Sequence, residues 1–243
     1  MPGGHYIALS GMRTRLDQLD RLADEIANAG TAGYKTERVP TVEARRPDFD
    51  QVLQTAIDVA AAPGLVDFRD GSIQTTNRDL DVALEGRGFF EIETTEGVRY
   101  TRNGQFSRRP DGTLVTADGA IVRGDTGTAI TVGQGAISFE PDGSVRAGGV
   151  LAGKLKVVDF GDYVGLRRED AGRFRAEAGS TPVGAPAAAR VRGGSLESSN
   201  VQLPERMVQL TEVSRAFEAL QRGITTLMND VDGRAIEQLG RLR

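Results

Sequence analysis

The 243-residue sequence predicts an α+β fold, in which N- and C-terminal helices form an antiparallel coiled-coil domain around a central, all-β, hairpin-rich domain. Three observations predict it. An apolar stripe with heptad spacing lies near the N-terminus, a stricter one lies near the C-terminus, and short alternating runs separated by Gly-containing turns fill the space between them.

Residues 1–35 read as the first helix and its turn. Leu9, Met12, Leu16, Leu19, Ala23 and Ile26 recur at spacings of three and four, the a and d positions of a heptad. Asn28 and Gly30 then stop the helix, inside the stretch "ANAGTAGYK". Its glycines follow a helix and close it, whereas phosphate loops follow a strand and open a helix, so a nucleotide cradle is not expected. Residues 36–64 read as a connecting segment, in which "PDFDQVLQTAIDVAAAPG" fits a short helix or an extended linker.

From 65 to 194 the period changes. "LDVAL", "GFFEIET", "VRYTR", "TLVTA", "AISFE" and "KLKVVDF" are short, partly alternating or β-branched runs. Asp70-Gly71, Glu96-Gly97, Asn103-Gly104, Asp111-Gly112, Asp118-Gly119 and Asp142-Gly143 supply turns between them. Gly179 to Arg190 is a small-residue loop near the end of this β domain.

Residues 195–243 return to helix. Ser198, Ser199 and Asn200 are cap candidates, and Pro204 is tolerated in a first turn whose N–H groups have no helical partner. Leu210, Val213, Phe217, Leu220, Ile224, Leu227 and Val231 then alternate three and four without a break. Ser214, Ala216, Gln221, Gly223 and Met228 flank this seam where a two-stranded coil usually carries charge. A glycine beside the seam suggests that another backbone comes close there. The two stripes are therefore the expected subunit-packing residues, and a helix packed on its own β domain is the plainer alternative.

Composition limits the chemistry. The formal net charge of −4 and pI near 5.3 give no electrostatic reason to expect nucleic acid or an anionic membrane as partner. Zero Cys excludes disulfides and thiolate chemistry. No apolar run approaches the roughly 20 residues of a membrane span, and the N-terminus offers no convincing cleavable signal peptide. His5 is the only histidine, so neither a two-histidine metal site nor a Ser-His-Asp triad is expected. Asp79 and Asp81, with Leu80 between them, would point to one face of a strand, and a solvated face explains them better than a glycosidase pair. The Asp-Gly pairs lack the order of a calcium loop. "GRG" at Gly86 and "GQG" at Gly133 are too short to indicate a nucleotide, and Arg108-Arg109 reads as a solvated turn. No catalytic residue, cofactor or metal ligand is expected.

Three segments carry a family resemblance. "LADEIANAGTAGYK", "GSIQTTNRDLDVALEGRGFFEIETTEGVRYTRNGQFSRRPDGTLVTADGAIVRG" and "LESSNVQLPERMVQLTEVSRAFEAL" resemble, in order, the signature segments of flagellar basal-body rod and hook proteins. Leu80-Asp81, Gly86, Gly88-Phe89-Phe90, Tyr100-Thr101-Arg102, Gly104, Phe106, Gly112 and Leu114-Val115 fall where the family pattern has them. Asp24, Glu25, Gly30, Ala32, Pro204 and Phe217 depart from it. Length and the ending "DVDGRAIEQL" are most similar to proximal-rod members, with distal-rod members second.

The resemblance implies a structural subunit of the rod that spans the periplasm, stacking with copies of itself and other rod proteins to transmit torque. It also implies delivery through the flagellar export apparatus, without insertion into a membrane, and an "ANAGTAGYK" turn that redirects the chain from the axial helix toward the outer part of the subunit. Two alternatives stand beside this reading: a distal-rod or hook subunit of the same family, and a ligand-binding β domain with an oligomerising coiled coil.

Overall fold

A computed structural model describes residues 3–38, 65–170, 172–184, 186 and 189–240, with side chains from residue 11 to 226 of that range. The expected connection over 39–64 and the side chains of Leu9, Leu227 and Val231 lie outside the described residues. The chain divides into two compact units, Met1–Ala27 with Gln202–Arg243, and Asn28–Val201.

The first unit holds two helices, α1 (Gly3–Ala27) and α2 (Leu203–Gly240), 25 and 38 residues long. α1 ends one residue before Asn28, whose carbonyl accepts the Thr31 N–H at 3.1 Å and whose side-chain oxygen accepts the Thr31 hydroxyl at 3.1 Å. That local turn competes with the next helical hydrogen bond. α2 opens with Pro204 and Glu205 in its first turn, where a missing N–H costs nothing and a carboxylate suits the helix dipole. The end of α1 meets the start of α2 through Arg206 Nε and Glu25 Oε2, 2.9 Å apart, with Glu25 buried.

The expected coiled-coil domain around one all-β domain requires correction. On α1 the heptad stripe does not form the inward seam: Leu16 is 44 % exposed and Ala23 is exposed, while Gln18, Leu22 and Glu25 are half-buried or buried. The inward face is turned by about one residue, roughly 100°, from the heptad stripe. The buried Glu25 accounts for this, because a charge taken out of water must face its partner, here the half-buried Arg206, and that requirement sets the rotation of the helix. The described part of the α1 stripe is thus only partly turned inward, with Met12, Leu19 and Ile26 half-buried and Leu16 and Ala23 exposed, and the expected coiled coil is not shown. The rest of the molecule is a large β body of several sheets.

That body contains eighteen short strands among the described residues, numbered here in chain order, and every pairing is antiparallel. Nine belong to one sheet, whose path runs β14 (Leu166–Asp170), β15 (Arg173–Ala176), β6 (Gly97–Thr101), β5 (Phe89–Thr94), β9 (Ile121–Val122), β8 (Leu114–Thr116) and β7 (Phe106–Arg108). β13 (Val157–Asp159) adds to β5 and carries β16 (Val183–Gly184). A three-stranded sheet holds β10 (Ile137–Phe139), β11 (Ser144–Ala147) and β12 (Val150–Lys154). Three two-stranded pairs complete it: β1 (Glu37–Arg38) with β2 (Leu65–Val66), β3 (Ile73–Thr75) with β18 (Ser195–Glu197), and β4 (Val82–Glu85) with β17 (Arg190–Gly193).

Two cores share strand β5. Successive side chains on a strand point to opposite faces, so Phe89 and Phe90 part company. Phe90 joins an aliphatic core with Val82, Leu84, Phe106, Leu114 and Val145. Phe89 joins Phe160, Phe174 and Tyr100 in an aromatic core, with Phe68 edge-on at 5.5 Å. β5 is accordingly buried on both faces over its first four residues.

Candidate functional site

Lys35 is 0 % exposed, so its charge has to be met inside the protein. Its Nζ donates to Glu197 Oε1 at 2.5 Å and to the Arg69 carbonyl at 2.8 Å. The other Glu197 oxygen lies 3.3 Å from Arg102 Nη1, and the Gly71 N–H donates to Oε1 at 3.0 Å. Glu197 is 1 % exposed and Arg102 2 %. Arg102 also donates to the Leu84 carbonyl and pairs with Asp70 at 3.4 Å. One carboxylate therefore joins three stretches of chain: the turn after α1, the "YTRNG" turn, and the "LESSN" strand. Burial pushes the Lys35 ammonium below its ordinary value, against the opposing pull of Glu197.

The backbone is drawn tight around this junction. The Gly33 N–H donates to the Glu197 carbonyl at 2.8 Å, and Gly33 has φ +68°. A Cβ there would lie 2.4 Å from the Arg102 carbonyl carbon, so only glycine fits. At Gly71 a Cβ would lie 1.9 Å from the Ser198 oxygen. Asn200 accepts the Thr36 N–H at 2.8 Å and donates to the Asp67 carbonyl at 2.8 Å. This cap candidate thus spends its side chain on tying segments together instead of on α2. Tyr34 is fully buried, with the Arg168 guanidinium 4.8 Å over its ring. The "ANAGTAGYK" turn is thus tied into the β body through Gly33, Tyr34 and Lys35.

Sequence reading missed this junction. Lys35, Arg102 and Glu197 fall one in each of the three signature segments, but each segment holds other charged residues, so nothing in the sequence singled them out. A buried charge needs a partner, and the three motifs supply one another's.

The expected packing residues sit on the helices as follows. Leu210, Val213, Phe217, Leu220 and Ile224 form one half-buried stripe on α2, and none of them is fully buried. On α1, Met12, Leu19 and Ile26 are half-buried, and Leu16 and Ala23 stand outside with Asp17, Asp20 and Asp24. Leu203, Met207 and Val208 at the start of α2 are 41 %, 55 % and 59 % exposed. Both helices therefore keep apolar surface in water.

The described residues hold no group of three or more His, Cys, Asp or Glu placed to share a metal ion. Asp79 lies in an exposed turn and Asp81 is 1 % exposed, so the two do not share a solvent face. Arg108 and Arg109 donate to the Gly133 and Gly119 carbonyls, bracing neighbouring loops. Grooves of about 570 and 620 Å³ mark the β body, the first lined by Pro141, Lys154 and Val191, the second by Leu65, Phe68 and Tyr163. Neither gathers an acid, base and nucleophile in hydrogen-bonding reach. No described helix is long and apolar enough to cross a membrane.

Residues 83–147 match the family described as flagellar hook protein FlgE/F/G D1 domain, and residues 192–235 match the flagellar basal body rod FlgEFG protein C-terminal family. The flagellar basal-body rod protein FlgF of Caulobacter vibrioides is 31 % identical over the whole of both chains. FlgF of Rhizobium meliloti is 32 % identical over 99 % of each. The rod protein FlgG of Bacillus subtilis is 30 % identical, covering 91 % of this chain and 93 % of that one.

Proposed function

The chain belongs to the flagellar basal-body rod protein family, FlgF-like before FlgG-like, and on that premise we propose that it polymerises through its two terminal helices into the torque-transmitting rod. It is a structural component of the flagellar basal body and not an enzyme. Its partners in this reading are copies of itself, other rod proteins, and the flagellar export apparatus that delivers it. The observation that carries the reading is the half-buried stripe Leu210, Val213, Phe217, Leu220 and Ile224 on α2. Apolar side chains kept half in water gain about 25 cal/mol for each further Å² a neighbour covers, so assembly supplies burial that one chain does not. The tight β body is the rigid load-bearing part in this scheme, and the helices are the joint.

Leu220→Asp and Ile224→Asp test it, each placing a charge on the stripe. Either variant is expected to reach the periplasm, keep its β-sheet circular dichroism, and be lost from purified basal bodies. Normal incorporation of both would contradict the reading.

A further inference from the structure

We propose that Glu25 and Arg206 form a register pin, which holds α1 rolled off its own apolar seam, and that without the pair α1 turns by about 100° onto that seam. The pin acts within one chain and stands apart from the polymerisation reading.

Among the described side chains of the two helices, residues 11–27 and 203–226, Glu25 is the one that is fully buried. α1 thus encloses a charge while it leaves Leu16 44 % exposed and Ala23 outside. Apolar pattern alone favours the opposite setting. At 100° per residue, Met12, Leu16, Leu19, Ala23 and Ile26 share a band about 80° wide on the helix circumference. A roll that centres this band inward sends Gln18, Arg21 and Glu25 toward water, and it keeps Asp17 and Asp24 outward as they are now. The rolled helix buries more apolar surface and no new charge.

What opposes the roll is the ion pair. Glu25 Oε2 lies 2.9 Å from Arg206 Nε, and Arg206 is itself braced on α2, where its Nη1 donates to Gln209 Oε1 at 2.7 Å. Gln209 in turn donates to Glu205 at 3.3 Å. A guanidinium held in this way does not follow Glu25 around the helix. A buried ion pair adds little net stability, because desolvation takes back what attraction gives, and its best-attested use is to fix register. Glu25 is also one of the positions at which the chain departs from the rod signature, so the pin is a device of this chain and not of the family pattern.

The chain has no cysteine, so a single introduced thiol reports its own exposure to a maleimide. In the purified full chain, Leu16→Cys is expected to label fast and Gln18→Cys slowly. Glu25→Gln with Arg206→Gln removes the pair without setting like charges together. In that background Leu16→Cys is expected to slow and Gln18→Cys to speed up, each by about fivefold or more. Glu25→Arg with Arg206→Glu keeps an ion pair, and both rates should stay near those of the original pair. Opposite movement separates a roll from loosening, since local unfolding exposes both thiols. Faster labelling of both thiols in the glutamine background would mean that the pair holds the helices together without setting their rotation, and would overturn the proposal. So would unchanged rates there, or equal rates at the two positions with Glu25 and Arg206 intact.

Discussion

Glu197 is the shared acceptor for Lys35, Arg102 and the Gly71 N–H. Glu197→Gln would leave the buried Lys35 and Arg102 with only the exposed Asp70 to offset them. Breaking a buried pair from one side costs about 3–5 kcal/mol, and this variant is expected at the upper end. Lys35→Met leaves Glu197 with Arg102 and an amide, so it should cost less. Urea melts of the two variants, monitored by tryptophan-free near-ultraviolet signal from the tyrosines, check the order. Equal losses would mean that Glu197 is not the hub. The sequence showed Lys35, Arg102 and Glu197 individually as members of three motifs. It did not show that they meet, because their separations of 67 and 95 residues carry no periodic signal.

At the scale of elements, local chemistry was the legible part. Asp-Gly pairs marked turns, and the structure shows the mechanism: Asp111 accepts the Thr113 N–H at 2.9 Å and Asp142 accepts the Ser144 N–H at 3.0 Å. These backbone hydrogen bonds hold both carboxyls below the usual carboxylate value. The sign follows directly. A depressed folded pKa gives stability that is present above the unfolded value and is lost as pH falls through the folded one. Asp111→Asn with Asp142→Asn keeps the acceptor oxygen and removes the titration. The double variant is expected to lose less stability than the wild type as pH falls through and below the ordinary carboxylate range, measured by acid titration of circular dichroism. Parallel curves would remove these turns from the acid response. What local chemistry did not reveal was the rotation of α1. Heptad spacing put Leu16 and Ala23 on one stripe, yet the buried Glu25 and its partner Arg206 decide which stripe faces inward. A periodicity count weighs apolar residues alone, and here one ion pair outweighs it.

At the scale of the whole molecule, the β body depends on chain from both sides of the sequence. β18 pairs with β3 across more than a hundred residues, bringing Glu197 opposite Ile73, and Lys35 arrives from the turn after α1. A fragment of residues 28–201 keeps every partner of this junction. A fragment of residues 65–194 keeps Arg102 and Asp70 but loses Lys35, Glu197 and Asn200, and strands Arg102 beside an opened site. It also leaves β3 without a neighbour, with its N–H and C=O groups exposed as a sheet edge. The longer fragment is therefore expected to unfold cooperatively at the same urea midpoint as the β signal of the full chain. The shorter one should be less stable by about 3 kcal/mol or more, the scale of one broken buried ion pair. Equal midpoints would show that the three-motif junction sits on the β body without holding it together. The role of Lys35, Arg102 and Glu197 would then have to be sought in how the chain leaves the body toward its helices.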